Sequence, residues 1–599
     1  MEGSCFTGLN AERHYNILKG VGATRDLLGP AMFTLLFLEM FFIKFVSILK
    51  IKSYFQENYQ LNALNKCWCR LSVPLLWSHP FEYHGFGELA ANIIQVYISC
   101  LPVDELQILI DEGLDLPECH PPLFDYPRYL QSFESAHFTG AIMSWLSTKV
   151  NTKTFASVLE ERDMDISTNT YIVQTILGNL LFSRSKGIKD LDIVHFDEDD
   201  DSLIMDITTF DDANRALSRL EKLQFDYSGW SEQGDKSSEI ISNLFDFMTQ
   251  SSHNIQHIYI NITNISDQDF DLPQIAISIS NLIKSQNNLR DLIMLEFWTP
   301  DAAATIFDSL PSQSNSLTYL RLHDLYQDQY LFLLKILPTL KNLETLQLIN
   351  LHPDIDEPFR FIESSDTIIN LKNLHYQEEK SHLDISTLIG PIIRMANLNL
   401  RSLSLASVNP DLVEIIRQYC PNLTHLSLTL TTPEIPISVS NLLSTSVFLR
   451  HFSIYIYSSE FPFLTTEELL KFSRSFPKSI LYFGFYLAIN SDILNFFLKE
   501  CPASFQVLSI YRPETIEENL LKVIINYAKD KKSLRKLLLD SDVDIYSYEG
   551  SVTSATIQEA RSIIPIIDGT IEHNRPYSGS VMDDLNDREL WDSDLTPLS

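Results

Sequence analysis

Basic residues are scarce. The 599-residue chain carries 45 Lys and Arg against 78 Asp and Glu, a formal charge of −33 at pH 7, and the field of such a chain repels phosphates at long range. Broad contact with nucleic acid or an anionic membrane surface is excluded on that ground, so partners are expected to be proteins. Cysteines are few, odd in number and scattered: the seven at 5, 67, 69, 100, 119, 420 and 501 make no disulfide framework. Their usage points to a reducing compartment, cytoplasmic or nuclear. The glycosylation triplets at Asn261, Asn264 and Asn422 are then fortuitous. Cys67-Trp68-Cys69 has no further ligands at zinc spacing, since Cys100, Cys119 and His120 stand too far along the chain. It reads as two core positions around an aromatic anchor. The acidic run Asp197 to Asp201 lacks the Gly and the closing Glu of a calcium loop, and reads as a solvated insertion. Absent too are a Gly-rich phosphate loop, a zinc-protease helix motif, a Gly-x-Ser-x-Gly elbow and kinase signatures. No catalytic centre, metal or cofactor is expected.

Long apolar runs are absent apart from one. Ala31 to Leu49 is apolar except for Thr34, Glu39, Lys44 and Ser47, and is just long enough to span a bilayer. Glu39 and Lys44 near its middle cost roughly as much as its Leu, Ile, Phe and Val side chains gain on insertion. A membrane span, a buried amphipathic helix and a non-native leader remain open for it. No small-residue cleavage site follows, so it does not read as a removable signal peptide.

What the chain has in abundance is one repeated pattern, apolar-x-x-apolar-x-apolar, in which the last two apolar residues alternate like a strand with one buried face. Its clearest copies begin at Leu317, Leu343, Leu400, Leu423 and Leu534, and looser ones at Ile188, Leu220, Ile255, Leu289, Leu371, Leu449, Ile480 and Phe505. Successive starts lie between 23 residues (Leu400 to Leu423) and 35 residues (Leu220 to Ile255) apart. That interval is close to the roughly 20 to 29 residues of leucine-rich repeats. Between the hexamers run helical patterns: 329–340, 411–420, 467–476, 492–500 and 518–528. Thr465 with Glu468 makes a capping box ahead of one of them, and Asn288, Ser316, Asn342 and Asn422 supply turns before strands. A strand and a helix alone cannot bury their apolar faces, so each unit gains a core only by stacking on its neighbours. The expected fold is therefore an α/β leucine-rich-repeat solenoid, a horseshoe with a parallel concave sheet and outer helices. It is preceded by an all-helical region.

Strand alternation projects the third, fifth and seventh motif residues onto the concave face. From the Leu317 repeat to the Phe505 repeat those 24 positions hold no Asp or Glu, and they are rich in Tyr and His. Candidate contacts to a partner are Tyr319, Arg321, His375, His425, His451, Tyr455, Tyr482, Tyr486 and Tyr511, with Arg401 and Arg450 from the second motif position. That second position also carries Arg290, Lys372 and Arg535, against only Glu221 and Glu344 among acids. Such a groove suits an acidic or phosphorylated segment of a partner protein. Equally, the residues could be a solvated strand face.

Two stretches carry a family resemblance. Cys420-Pro421-Asn422-Leu423-Thr-His-Leu426-Ser-Leu428 resembles the cysteine-containing repeats of F-box proteins, echoed by Cys501-Pro502, and the resemblance makes each cysteine a buried spacer. Tyr54-Phe55, then Leu61, Leu64, Asn65-Lys66, Trp68 and Leu71, then Pro74-Leu75-Leu76-Trp77, resembles the second half of an F-box. The Leu-Pro opening of that motif is missing, and the apolar segment 31–49 stands in its place. The resemblance implies adaptor contacts at Tyr54, Phe55, Leu61, Leu64, Trp68, Leu71, Pro74, Leu75 and Trp77. It also implies the function of a substrate-recognition subunit in a Skp–cullin–F-box ubiquitin ligase, with ubiquitin transfer done by other subunits. The alternative is a leucine-rich-repeat scaffold with no ligase link. The implied organisation is an apolar leader (1–44), a partial F-box-like segment (45–82), a helical linker (83–187) with patterns at Glu88 to Cys100 and Val103 to Glu112, repeats (188–570) and an acidic tail (571–599).

Overall fold

The computed structural model describes residues 72–81, 87–114, 116, 122–149, 163–197, 205–229, 234–263, 271–295, 299–352, 367–378, 385–430, 435–456, 465–486, 490–511, 518–540 and 553–568. The segment 31–49, the F-box-like residues Tyr54, Phe55, Leu61, Leu64, Trp68 and Leu71, most of the acidic run after Asp197 and the tail 571–599 lie outside the described residues. The chain forms two compact units. One is made by residues up to Ile188 with Phe210–Ala216, the other by Lys189–Thr209 and everything from Leu217 onward.

In the first unit the helices Glu88–Ile98, Val103–Asp111, Ser135–Lys149 and Asp163–Arg184 accompany a short strand, β1 (Ser132–Glu134). The two helical patterns read from the sequence after residue 83 are both present, each ending one or two residues early. The core is aromatic: Phe81, Tyr97, Phe133, Phe138, Trp145 and Phe182 are all buried to within 1%. The Trp145 indole N–H donates to Gln95 Oε1 at 2.9 Å, giving its one polar atom a partner inside that core. Gly178 lies against the ring of Phe210, and a β-carbon there would come within 2.4 Å of Phe210 Cζ. Only a residue without a side chain lets this helix approach so closely.

The second unit is built on fourteen strands: β2 (Asp190–Asp197), β3 (Lys222–Gly229), β4 (His257–Thr263), β5 (Asp291–Leu295), β6 (Tyr319–Tyr326), β7 (Thr345–His352), β8 (Asn373–Gln377), β9 (Ser402–Val408), β10 (His425–Leu430), β11 (His451–Ile456), β12 (Tyr482–Tyr486), β13 (Val507–Tyr511), β14 (Lys536–Asp540) and β15 (Ile566–Asp568). They pair in chain order, and every neighbouring pair is parallel. This is one open parallel sheet with helices between its strands, the arrangement of a repeat solenoid.

Each of the thirteen hexamers opens a strand two residues after its first apolar residue, from β2 to β14. In register, the fourth residues stack in a single line: Leu223, Ile258, Leu292, Leu320, Leu346, Leu374, Leu403, Leu426, Phe452, Phe483, Leu508 and Leu537. None of them is more than 2% exposed. Burying each such side chain contributes roughly 1.5 to 3 kcal/mol, and because the line runs between neighbours the stabilisation is shared rather than owned by one repeat. Helices pack on the face these residues occupy, each on the next: Gly234–Ser251 on Leu272–Ser285, then Pro300–Phe307 and Gln327–Ile336, and likewise from Ile385–Ala396 through Pro410–Tyr419 to Ser554–Ile563. Tyr330 of one group donates its hydroxyl to the carbonyl of Leu388 in the other.

Local signals explain where the helices begin. Thr465 and Glu468 form the expected reciprocal capping box before Thr466–Arg474. Asn409 and Asn490 accept from the backbone N–H groups of Leu412 and Ile493, and Thr299 from that of Ala302. At the ends of three long strands Asp324, Asn350 and Ser407 take left-handed backbone conformations with φ of 56°, 52° and 56°. These are equivalent positions, seven residues after Leu317, Leu343 and Leu400, so the departure is a built feature of these repeats.

Buried amides tie one repeat to the next. Gln313 donates to the carbonyls of Ile283 (2.9 Å) and Gln286 (2.8 Å) and accepts from the N–H of Leu289. Gln286 in turn donates to the Ser252 carbonyl and accepts from Ile255 N–H, both at 2.9 Å. Asn342, Asn399 and Asn422 donate to the carbonyls of Asn315, Ile369 and Leu398. These contacts satisfy buried backbone groups at the helix ends and turns between repeats.

Candidate functional site

The face of the sheet opposite the leucines is polar. Its first row, read across the register, runs Asp190, Lys222, His257, Asp291, Tyr319, Thr345, Asn373, Ser402, His425, His451, Tyr482, Val507 and Lys536. Its second row continues from Asp192 and Gln224 through Tyr259, Ile293, Arg321, Gln347 and His375 to Ser404, Ser427, Ser453, Gly484 and Ser509.

This face changes character along the chain. Over β4, β5 and β6 burial alternates residue by residue, so the polar side chains there are half-exposed. From β7 to β13 successive residues are buried on both sides of the strand, with Gln347 at 7%, His375 at 7% and Ser453 at 2% exposure. Part of the cause is local. The imidazole of His451 lies over the Ser453 hydroxyl at 3.3 Å, and it stacks face to face on Tyr482 at 3.7 Å between ring centroids, with His425 beside it at 5.4 Å.

The residues expected to meet a partner therefore divide. Arg401 and Arg450 are exposed, and Tyr319, Arg321, His425, His451 and Tyr482 are half-buried. His375 and Tyr455 are buried. Tyr486 and Tyr511 close β12 and β13, and their side chains lie outside the described residues.

Arg321, in the second row, acts on the histidines of β6 and β8. Burial, reinforced by the Arg321 guanidinium, pushes His323 down to about 3 and His375 down to about 4. Burial and His425 hold His451 well below its ordinary range. All three rings are uncharged near neutrality. Among the side chains the structure describes, the acids of this face, which a reading begun at Leu317 passes over, are Asp190, Asp192, Asp226 and Asp291 on the first strands. Asp226 accepts from Asn261 Nδ2 at 3.0 Å, yet burial outweighs that bond and raises its carboxyl above the usual range. Tyr259 beside it is pushed up to about 12 by burial and by the Asp226 charge. His257 and Asp291 pair across neighbouring strands at 2.7 Å.

The cysteine spacers behave as the repeat pattern implies. Cys420 and Cys501 are each 2% exposed, and burial pushes both thiols up to about 12, so neither is a thiolate near neutral pH. Among the described residues no group of His, Cys, Asp and Glu is placed to hold a metal ion, and no helix is long and apolar enough to cross a membrane.

Of the nine adaptor contacts that the F-box resemblance implies, three are among the described residues. Trp77 packs inward, its ring 4.3 Å from Tyr126 and 5.2 Å edge-on from Tyr97. Pro74 is half-buried, and Leu75 is 52% exposed, with Leu76 beside it at 41%. Val103, Ile110 and Leu123 of the same unit also stand exposed.

No known protein family matches the chain, and no curated protein resembles it closely enough to count as a relative.

Proposed function

We propose that this chain is a receptor for another protein: a leucine-rich-repeat solenoid that captures a polypeptide along its sheet and delivers it, through the F-box-like segment, to a Skp–cullin–F-box ubiquitin ligase. The observation that carries the capture half is the fourteen-stranded sheet itself, one face of which is sealed by leucines and helices while the other presents Tyr319, Arg321, His425 and Tyr482 half-exposed. Tyrosine and arginine with a desolvated body and an accessible polar tip are the side chains that most often dominate protein binding. In a chain of charge −33, exposed Arg401 and Arg450 favour an acidic or phosphorylated segment as the captured partner. Ubiquitin transfer then belongs to other subunits, and this chain contributes proximity.

The ligase half rests on the resemblance around Trp68 and Trp77 and on Leu75 and Leu76, two large apolar side chains left in solvent at the end of that stretch. Exposed neighbours of this kind mark a surface that a partner covers. Co-purification of the full chain with the Skp adaptor tests it. The wild-type chain is expected to retain the adaptor, and the double variant Leu75→Glu, Leu76→Glu to lose it at least ten-fold. Its circular dichroism should stay unchanged, because neither side chain is buried. An adaptor that never co-purifies with the wild-type chain removes the ligase link and leaves the scaffold reading.

A further inference from the structure

The residue immediately before each strand forms a row of its own. Lys189, Glu221, Gln256, Arg290, Thr318, Glu344, Lys372, Arg401, Thr424, Arg450, Leu481, Gln506 and Arg535 follow one another along the edge where the strands begin. The main-chain N–H of each donates to the carbonyl of the one before, at 2.7 to 2.9 Å. The row therefore advances one residue per strand, about 4.8 Å each time.

Its acids are consumed within it. Glu221 pairs with Lys189 at 2.7 Å and Glu344 with Lys372 at 2.5 Å, each across one strand step. Beyond Lys372 the row holds no acid, and Arg401, Arg450 and Arg535 are all exposed. Among the described residues none of the three has a carboxylate partner. The Arg401 guanidinium is turned along the edge by the carbonyls of Leu398 (3.0 Å) and Asn422 (3.5 Å). In the polar face beside this edge, from β7 to β13, the second row is buried and uncharged.

We propose that this edge, rather than the middle of the polar face, is where an acidic segment of the captured protein attaches, running across the strands with its anionic side chains spaced to match the arginines. Arg401 and Arg450 are two strand steps apart, about 10 Å, and Arg450 and Arg535 three steps, about 14 Å. A segment in the polyproline II form, with about 3.1 Å per residue and three residues per turn, brings anions at i and i+3 to one face over the first span, and a flexible acidic side chain at i+7 reaches the third arginine. Carboxylates or phosphorylated side chains supply the same chemistry, and paired phosphates bind the guanidinium forks more strongly. The inference rests on the reading of the repeats as a polypeptide receptor and adds to it a place and a spacing.

The test uses the full chain and three fluorescein-labelled Gly/Ser peptides at low ionic strength, followed by anisotropy. One peptide carries Glu at positions 1, 4 and 8, one carries Glu at 1, 2 and 3, and one carries phosphoserine at 1, 4 and 8. The spaced Glu peptide is expected to bind at least ten-fold more tightly than the clustered one, with phosphoserine tighter still, and each to weaken as salt rises. The double variant Arg401→Glu, Arg450→Glu should lose ten-fold or more for the spaced peptides. Both side chains are exposed, so its folding, followed by circular dichroism, should be intact. Equal binding of spaced and clustered peptides, unchanged binding by the double variant, or no binding of any peptide overturns the proposal. The receptor reading stands or falls separately, on adaptor retention and on loss of partner capture when Tyr319 and Arg321 are replaced.

Discussion

Replacing Phe483 by alanine is expected to destabilise the later repeats by about 3 to 5 kcal/mol. At β11 and β12 the inner line switches from leucine to phenylalanine. The ring of Phe483 is fully buried, and it meets those of Phe476 at 5.1 Å, Phe497 at 5.2 Å, Phe485 and Phe505 at 5.3 Å and Phe452 at 6.0 Å. Removing it takes away the apolar transfer term and leaves a void that five rings line, and rings relax into a void less readily than aliphatic chains. Because a solenoid couples only nearest neighbours, the loss should stay local. Amide hydrogen exchange is expected to show protection falling across β11 to β13 while β3 to β5 keep theirs. Uniform loss along the whole sheet would mean that the repeats unfold as one block.

The second large effect concerns polar rather than apolar burial. Gln313→Leu should cost about 3 kcal/mol, although leucine fills much the same volume. The amide of Gln313 is 2% exposed and is the partner of two carbonyls and one N–H from the preceding repeat. Leucine offers none of these bonds, so the Gln286 carbonyl and the Leu289 N–H lose their side-chain partner, and the Ile283 carbonyl keeps only the Gln286 N–H at 3.3 Å. That penalty exceeds the modest net value of a hydrogen bond, because desolvation is no longer compensated. Exchange at Leu289 N–H is the local readout, and chemical denaturation the global one. A stability equal to wild type would show that water reaches the site.

Much of the fold is legible in the residues. The period-two alternation inside Leu317-x-x-Leu320-x-Leu322 and the fixed step to the next hexamer locate thirteen strands, because each buried leucine must face the same helical layer. β15 escapes this reading: Ile564 and Ile567 hold the first and fourth places of the pattern, but no apolar sixth residue completes it. Helix ends that carry a side-chain cap, as at Thr465, can be read. Ends closed by a side chain distant in sequence, such as that of Asp163–Arg184, where Arg215 donates to the carbonyls of Phe182, Ser183 and Ser185, cannot.

The site is less legible than the scaffold. Third-position His425, His451 and Tyr482 lie 26 and 31 residues apart in sequence, and only the register shows that they stack. The burial of the second polar row from β7 to β13 is likewise a tertiary property. Gln347 and Arg321 look equivalent as letters, yet one is buried and the other half-exposed. At the strand-leading edge the sequence shows six basic residues, while the pairing of Lys372 with Glu344 across one strand step depends on which repeats adjoin.

Consecutive hexamers lie side by side in one parallel sheet. An engineered cross-link reads this directly. Ser404 and Ser427 are register partners on β9 and β10, at a separation of about 4.8 Å that a disulfide accepts. Ser404 and Ser453 are one strand further apart, about 10 Å, which is too far. After mild oxidation and peptide mapping, the Ser404→Cys, Ser427→Cys variant is expected to show the bridge in most molecules, and Ser404→Cys, Ser453→Cys to show none. Failure of the first pair to bridge in folded protein, or equal bridging of the second, would contradict the sheet and everything built on its register.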